Sequence, residues 1–180
     1  MGHPMSSVVE RARKNEVAVR ATEAEAGQYL TFTLGAEMFA IGILSIKEII
    51  EYGQLTEVPM MPKFVRGVIN LRGAVVPVID LQLRFGRDTT DIGKRTCIVI
   101  VEVNDAAAGE RHELGVVVDS VSEVIAIPAA DIEKAPAFGA NLRQDFIYGM
   151  EKVNERFVVM LNVNNALSVN EIAEMVNLAS

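Results

Sequence analysis

Tryptophan is absent from this 180-residue chain, cysteine occurs once and histidine twice. A single cysteine excludes a disulfide framework within the chain. Cys97 lies in the apolar run Thr96-Cys-Ile-Val-Ile-Val101 and is expected to be a buried strand residue. His3 stands near the start and His112 between Arg111 and Glu113, so neither has metal-ligand spacing and no metal site is expected. No glycine-rich loop able to cradle a phosphate occurs, and no cofactor is expected. Positive charge is also scarce. The 17 Lys and Arg against 24 Asp and Glu leave a net charge of -7, which argues against nucleic acid as a partner and against an anionic membrane surface. Apolar runs stop at Arg72, Asp80 or Glu102, well short of the roughly 20 residues that span a bilayer, and the N-terminus has no apolar signal core. These absences point to a cytoplasmic protein with no direct membrane insertion.

What is present is a repeat. The block Phe39-Ala-Ile-Gly-Ile-Leu-Ser-Ile-Lys-Glu-Ile49 returns as Leu114-Gly-Val-Val-Val-Asp-Ser-Val-Ser-Glu-Val124. A constant offset pairs Ile41 with Val116, Ser45 with Ser120, Ile46 with Val121 and Glu48 with Glu123. After a longer connection in the second copy, Phe64 pairs with Phe146, Gly67 with Gly149, Val76 with Val158 and Leu81 with Val163. Chance alternation of apolar residues would not also match the serine, the glutamate and the glycine, so the chain reads as one unit written twice. Each unit would be marginal alone, and a shared interface between the copies is the expected source of added stability.

Residues 1–27 form a charged tail without apolar periodicity and read as solvated. From Tyr29 onward the pattern is β. Leu30, Phe32 and Leu34 alternate with threonines, Gly35-Ala36-Glu37 turns, and Phe39, Ile41 and Ile43 alternate again, which predicts a hairpin. Ser45 with Glu48 reads as a capping box opening a short helix; Ser120 with Glu123 can do the same, although Val121, Val124 and Ile125 leave a strand open there. Arg72-Gly73 marks a two-residue hairpin turn, and Pro77 predicts an edge or a bulge in the strand that holds it. A matching hairpin over residues 146–163 has Asn154 and Glu155 near its tip. Residues 97–103 and 114–118 predict another hairpin joined by a polar loop, and Ser168-Val-Asn-Glu171 a third capping box that leads into a C-terminal helix. The expected architecture is mainly β: two tandem five-stranded SH3-like β-barrels, residues 28–93 and 94–180, with a few short helices and strand exchange possible at the boundary.

Catalytic constellations are hard to find. His112, Asp119 and Ser120 can be written as a triad, but no strained nucleophile turn surrounds Ser120. A small-molecule binder using a cleft between the barrels would need convergent polar groups, and the sequence offers Arg72 and Glu48 alone. Protein binding without enzymatic activity is the remaining reading.

Tyr29-Leu-Thr-Phe-Thr-Leu-Gly35, Phe64-Val-Arg-Gly-Val-Ile-Asn-Leu-Arg-Gly73, Val76-Pro-Val-Ile-Asp-Leu81, Gly115-Val-Val-Val-Asp119 and Ala135-Pro-Ala-Phe138 resemble the CheW family of bacterial chemotaxis coupling proteins, over about residues 28 to 178. The resemblance implies two SH3-like barrels, no catalytic activity, and an adaptor that bridges methyl-accepting chemoreceptor cytoplasmic tips to the regulatory domain of the CheA histidine kinase. It implies a cytoplasmic protein recruited to membrane-associated receptor arrays. The output pathway, flagellar or not, is left open, and no receiver domain is expected beside two barrels in this length.

Carried over residue by residue, the resemblance places receptor contacts at Ile46 and Glu48 and at Arg72 in the Leu-Arg-Gly turn, with Val121 and Val124 facing them as the second-copy counterparts of Ile46 and Ile49. Core packing is the competing reading for the three apolar residues. The family places a phenylalanine matching Phe138 at a kinase-ring contact. Met60 and Met61, between Pro59 and Pro62, are added as a kinase-binding surface by the internal repeat alone.

Overall fold

The computed structural model describes residues 27–88, 90–105, 109–134 and 144–168. Each repeat supplies five strands. The first gives β1 (Gln28–Leu34), β2 (Glu37–Gly42), β3 (Ile46–Glu51), β4 (Val65–Leu71) and β5 (Ala74–Asp80). The second gives β6 (Cys97–Asp105), β7 (Glu110–Val118), β8 (Ser120–Ala126), β9 (Ile147–Val153) and β10 (Arg156–Leu161). Two helices of a single turn, α1 (Leu81–Arg84) and α2 (Val163–Ala166), close the two halves.

The strands assemble into two five-stranded sheets, ordered β8-β1-β2-β10-β9 and β3-β6-β7-β5-β4, and the architecture is SH3-like. The sheets do not follow the division between residues 93 and 94. Each sheet takes a two-stranded hairpin from one repeat, β1–β2 or β6–β7, and three strands from the other. Parallel pairs join the exchanged pieces: Val158 to Met160 of β10 lie beside Met38 to Ala40 of β2, and Val78 to Asp80 of β5 beside Gly115 to Val117 of β7.

Both expected capped segments are strands. Isoleucines 46 and 49 are spaced as on a helix, yet Ile46 pairs with Val101 and Glu48 with Ile100, so β3 carries one extra residue opposite β6. In β8, Val121 and Val124 stand opposite Phe32 and Leu30, with the same kind of extra residue. A β-bulge shifts the alternation by one and brings residues three apart to the same face, imitating helical spacing. β-Branched Ile46, Ile49 and Ile50 then favour the strand. Ser45 ends a short 3-10 turn, Ile43–Ser45, and Ser120 opens β8 with its hydroxyl 2.7 Å from that of Thr33.

Two further expectations are revised. Pro77 is on neither an edge nor a bulge, because β5 lies between β7 and β4. It is tolerated there because pairing with β7 begins one residue later, at Val78. The polar residues after Val103 extend the hairpin, pairing Asn104 with Arg111 and Asp105 with Glu110. The helix expected after Ser168 lies outside the described residues. The turn at Arg72-Gly73 has φ of 52° and 86°, as a two-residue hairpin turn requires, and Asn154 and Glu155 repeat the left-handed pair at 50° and 65°.

Alternation along each strand divides the core. Cys97, Val99 and Val101 join Leu30, Phe32 and Leu161 in one cluster drawn from both sheets. Ile98 and Ile100 turn to a second cluster confined to their own sheet, while Ala40, Val158 and Met160 build the counterpart in the other. Arg84 lies between the two repeats. Its side chain is buried, with 8% of the residue exposed. Its guanidinium stacks 5.2 Å from the Phe64 ring and 4.7 Å from that of Phe146, the same residue in each repeat. Its Nε donates to the carbonyl of Ala166 at 2.8 Å, and Ala166 is the counterpart of Arg84 itself.

The paired glycines have a physical reason. Thr56 bridges to Val68, and Glu133 to Met150, each through two backbone hydrogen bonds. A methyl group added at Gly67 would lie 2.6 Å from the Thr56 carbonyl oxygen, and one at Gly149 would lie 2.8 Å from that of Glu133. Gly67→Ala and Gly149→Ala should therefore each cost about 2 kcal/mol through overpacking. Gly53→Ala, where an added methyl meets nothing within 4 Å, should leave the urea midpoint in place.

Burial first, and then the nearby Glu51 carboxylate, push the Cys97 thiol up to about 11. The neutral thiol is the form the fold accepts, so this contribution to stability is complete below the unfolded value, about 9. It is lost as pH rises from there through the folded value. Native protein at pH 8 should resist thiol reagents until denatured, and unfolding free energy should fall across that alkaline window; prompt labelling of the native thiol would contradict the packing described.

Candidate functional site

The bulge in β3 turns Ile46 and Ile49 inward and leaves Lys47 and Glu48 on the outside. From there Glu48 Oε1 receives Arg72 Nη2 at 2.7 Å, an ion pair that links β3 to the β4–β5 turn. The turn is held by Asn70, whose Oδ1 accepts the Gly73 amide at 3.0 Å. Arg72 is thus a left-handed residue at a hairpin tip with a side chain 75% exposed. Non-glycine residues adopt this conformation at a cost of roughly 1–2 kcal/mol, and such positions concentrate at functional sites. Beside the pair, Glu102 is shared between Lys47 at 3.1 Å and Arg111 at 3.4 Å, giving a charged row across β3, β6 and β7.

The residues expected to line a receptor groove are drawn from both sheets. The structure joins Glu48 to Arg72. Ile46 is fully buried in the shared core, because the bulge points it inward, and it offers no surface to a partner. Val121 and Val124 are half-buried on β8 of the other sheet and pack against the same core. Met60 is exposed with φ of 68°, while Met61 lies half-buried beside Val65 and Pro77 in a cleft between β5 and β7. Phe138 lies outside the described residues.

The sequence reading missed the buried carboxylate of Asp80. It caps α1 through the amides of Gln82 and Leu83, and it accepts from Arg66 Nε, the Thr90 amide and the Thr90 hydroxyl at 2.9 to 3.0 Å. In the second repeat Asn162 caps α2 through the Asn165 amide at 3.2 Å, and Tyr148 stands where Arg66 stands. Both members of the ion pair change together, which is the signal available in the aligned repeats.

A triad of His112, Asp119 and Ser120 is ruled out by distance. His112 and Val118 lie at opposite ends of β7, about 20 Å apart along an extended strand, and the Asp119 carboxylate accepts the Gly35 amide. Among the described residues, no group of three His, Cys, Asp or Glu side chains could hold a metal ion, and no helix is long and apolar enough to cross a membrane.

The fold is a pair of SH3-like sheets with exchanged strands and an outward ionic pair, the arrangement of a scaffold. The CheW-like domain family model matches residues 28–171. The chain is 34% identical over 163 residues to the chemotaxis protein CheW of Klebsiella aerogenes, covering 91% of this chain and 95% of that one. It is 33% identical over 168 residues to CheW of Helicobacter pylori, covering 93% and 98%. Among solved structures it matches the scaffolding protein TtCheW of Thermoanaerobacter tengcongensis with a TM-score of 0.72 and 30% identity, covering 84% of this chain and 92% of that one. The chain belongs to the CheW family and is a coupling scaffold of chemosensory signalling.

Arg72→Glu places two carboxylates face to face at an exposed tip. The variant should fold, with a melting temperature within a few degrees of the parent, because an exposed ion pair contributes about 1 kcal/mol or less. An unfolded variant by circular dichroism would make Arg72 a structural residue instead.

Proposed function

We propose that this scaffold couples the cytoplasmic tips of methyl-accepting chemoreceptors to the regulatory domain of a CheA-type histidine kinase, in the cytoplasm and at membrane-associated arrays, without catalysing a reaction. The Glu48–Arg72 pair carries the reading. It is a fixed, outward-facing cation and carboxylate at the positions where the family resemblance places receptor contact. Charged tips of this kind set partner choice and encounter rate more than raw affinity.

The receptor side centres on Glu48 and Arg72, with Val121 and Val124 reachable if the surrounding β8 face is engaged. Ile46 supports that surface from below. The kinase side takes Met60 and Met61 from the repeat and Phe138 from the resemblance. A chain with separate surfaces for two partners needs no cofactor to act, since its output is the geometry it imposes on them.

The test is capture of a receptor cytoplasmic fragment and a kinase regulatory domain by the purified chain, offered singly and together. Both should bind, and together they should form a ternary complex. Arg72→Glu should weaken receptor capture by about tenfold while kinase capture is retained. Failure of the unmodified chain to bind either partner would refute the coupling role, and equal loss of both partners in Arg72→Glu would refute its assignment to the receptor side.

A further inference from the structure

The two repeats agree closely up to the residue after each short helix. Phe85 and Leu167 are both buried, and the amide of each returns to the first residue of its helix, to the Leu81 and Val163 carbonyls at 2.9 Å. In the first repeat the chain then sets Thr90 on the helix cap. The Thr90 amide and hydroxyl donate to Asp80 at 3.0 and 2.9 Å, and the Thr90 carbonyl accepts Arg66 Nη2 at 2.6 Å. Thr90 is 2% exposed there, and the paired residues Ile98 and Val117 beside Asp80 are buried as well.

The same place in the second repeat is open. Asn162 stands for Asp80 and Tyr148 for Arg66, while Tyr29 and Gly42 form the pair that matches Ile98 and Val117. These four residues, with Leu161 and Val163, line a cavity of about 220 Å³, and Tyr148 has 60% of its surface exposed. The side-chain oxygens of Asn162 and Asn164 already accept the Asn165 and Asn104 amides. No charged side chain lines the cavity among the described residues. The seat is therefore apolar where that of the first repeat is ionic.

Position in the chain names the occupant. The offset that pairs Gly86 with Ser168 pairs Thr90 with Ile172, so an isoleucine falls where the first repeat has the threonine. All three partners change together: carboxylate to amide, guanidinium to phenol ring, hydroxyl to alkyl chain. A buried hydroxyl needs the polar partners that Asp80 supplies, and a buried isoleucine needs none. The described residues end at Ser168, four beyond Asn164 on the cavity wall. The length of chain from there to Ile172 is the length that carries Gly86 to Thr90.

We infer that the cavity beside Tyr148 is the seat of this chain's own segment after Ser168, with Ile172 in the place that Thr90 takes in the first repeat. Removing the isoleucine and the tyrosine rings from water together is favourable without any charged partner. The segment then secures the second repeat as the connector between the repeats secures the first. The cavity is filled from within and is not offered to a receptor or a kinase.

The chain has no tryptophan, so Tyr148→Trp places a single reporter at the cavity. Its emission should lie to the blue in the full chain and move to the red in a chain that ends at Ser168, and equally when Ile172→Asp is added. The blue position should persist in about 1 M salt, where charges are screened within about 3 Å. In the unmodified chain a nuclear Overhauser contact should join the Tyr148 ring to the Ile172 methyl groups, which checks the seat without any substitution. Absence of that contact overturns the inference, and so does emission unmoved by the truncation or by Ile172→Asp. A blue position lost on dilution would assign the cavity to a second copy of the chain and overturn it too.

Discussion

Neither repeat completes a sheet by itself, and most of the structure follows from that constraint. The β1–β2 hairpin finds its neighbours in β8 and β10, and the β6–β7 hairpin finds its own in β3 and β5. Backbone groups at the hairpin edges are therefore satisfied across the repeat boundary, where isolated halves would expose them. The side chains follow the same logic, since the cluster containing Phe32, Ile46, Val99 and Leu161 draws on both sheets. Arg84 marks the centre of the exchange. A cation held between two equivalent phenylalanines and bonded to its own counterpart cannot have a twin in the same place, so one repeat keeps the arginine and the other an alanine.

The repeat was legible in the sequence because apolar, serine, glutamate and glycine positions all align. The exchange was not, because pairing across the boundary leaves the same alternation along each strand as pairing within it. The bulges misled for a related reason. An extra residue in β3 and in β8 puts Ile46 with Ile49, and Val121 with Val124, on one face, and that spacing in one dimension belongs equally to a helix. Pro77 taught the opposite lesson, since a local rule about edges was met in an interior strand by delaying the pairing on one side.

The site was legible in part. Glu48 and Arg72 came from resemblance, and the structure supplies the reason they belong together, a 2.7 Å ion pair between a bulged strand and a strained turn. Ile46 could not be separated from them in sequence, because a bulge that exposes one residue buries its neighbour. The Asp80 cluster depends on contacts between residues far apart in the chain. It nevertheless shows in the aligned repeats as a difference: Asp80 against Asn162, Arg66 against Tyr148.

The exchange also orders events on the ribosome. The strands β3 to β7 occupy residues 46 to 118 without interruption, so their sheet can close while the rest of the chain is still being made. The β1–β2 hairpin is synthesised earlier but receives its last neighbours only when β8 and β10 emerge. Until then its edges and its phenylalanines are open to whatever else is nearby, as incomplete folding units generally are. Strands β1 and β2 are therefore made before the neighbours that complete their sheet and are among the last to be secured.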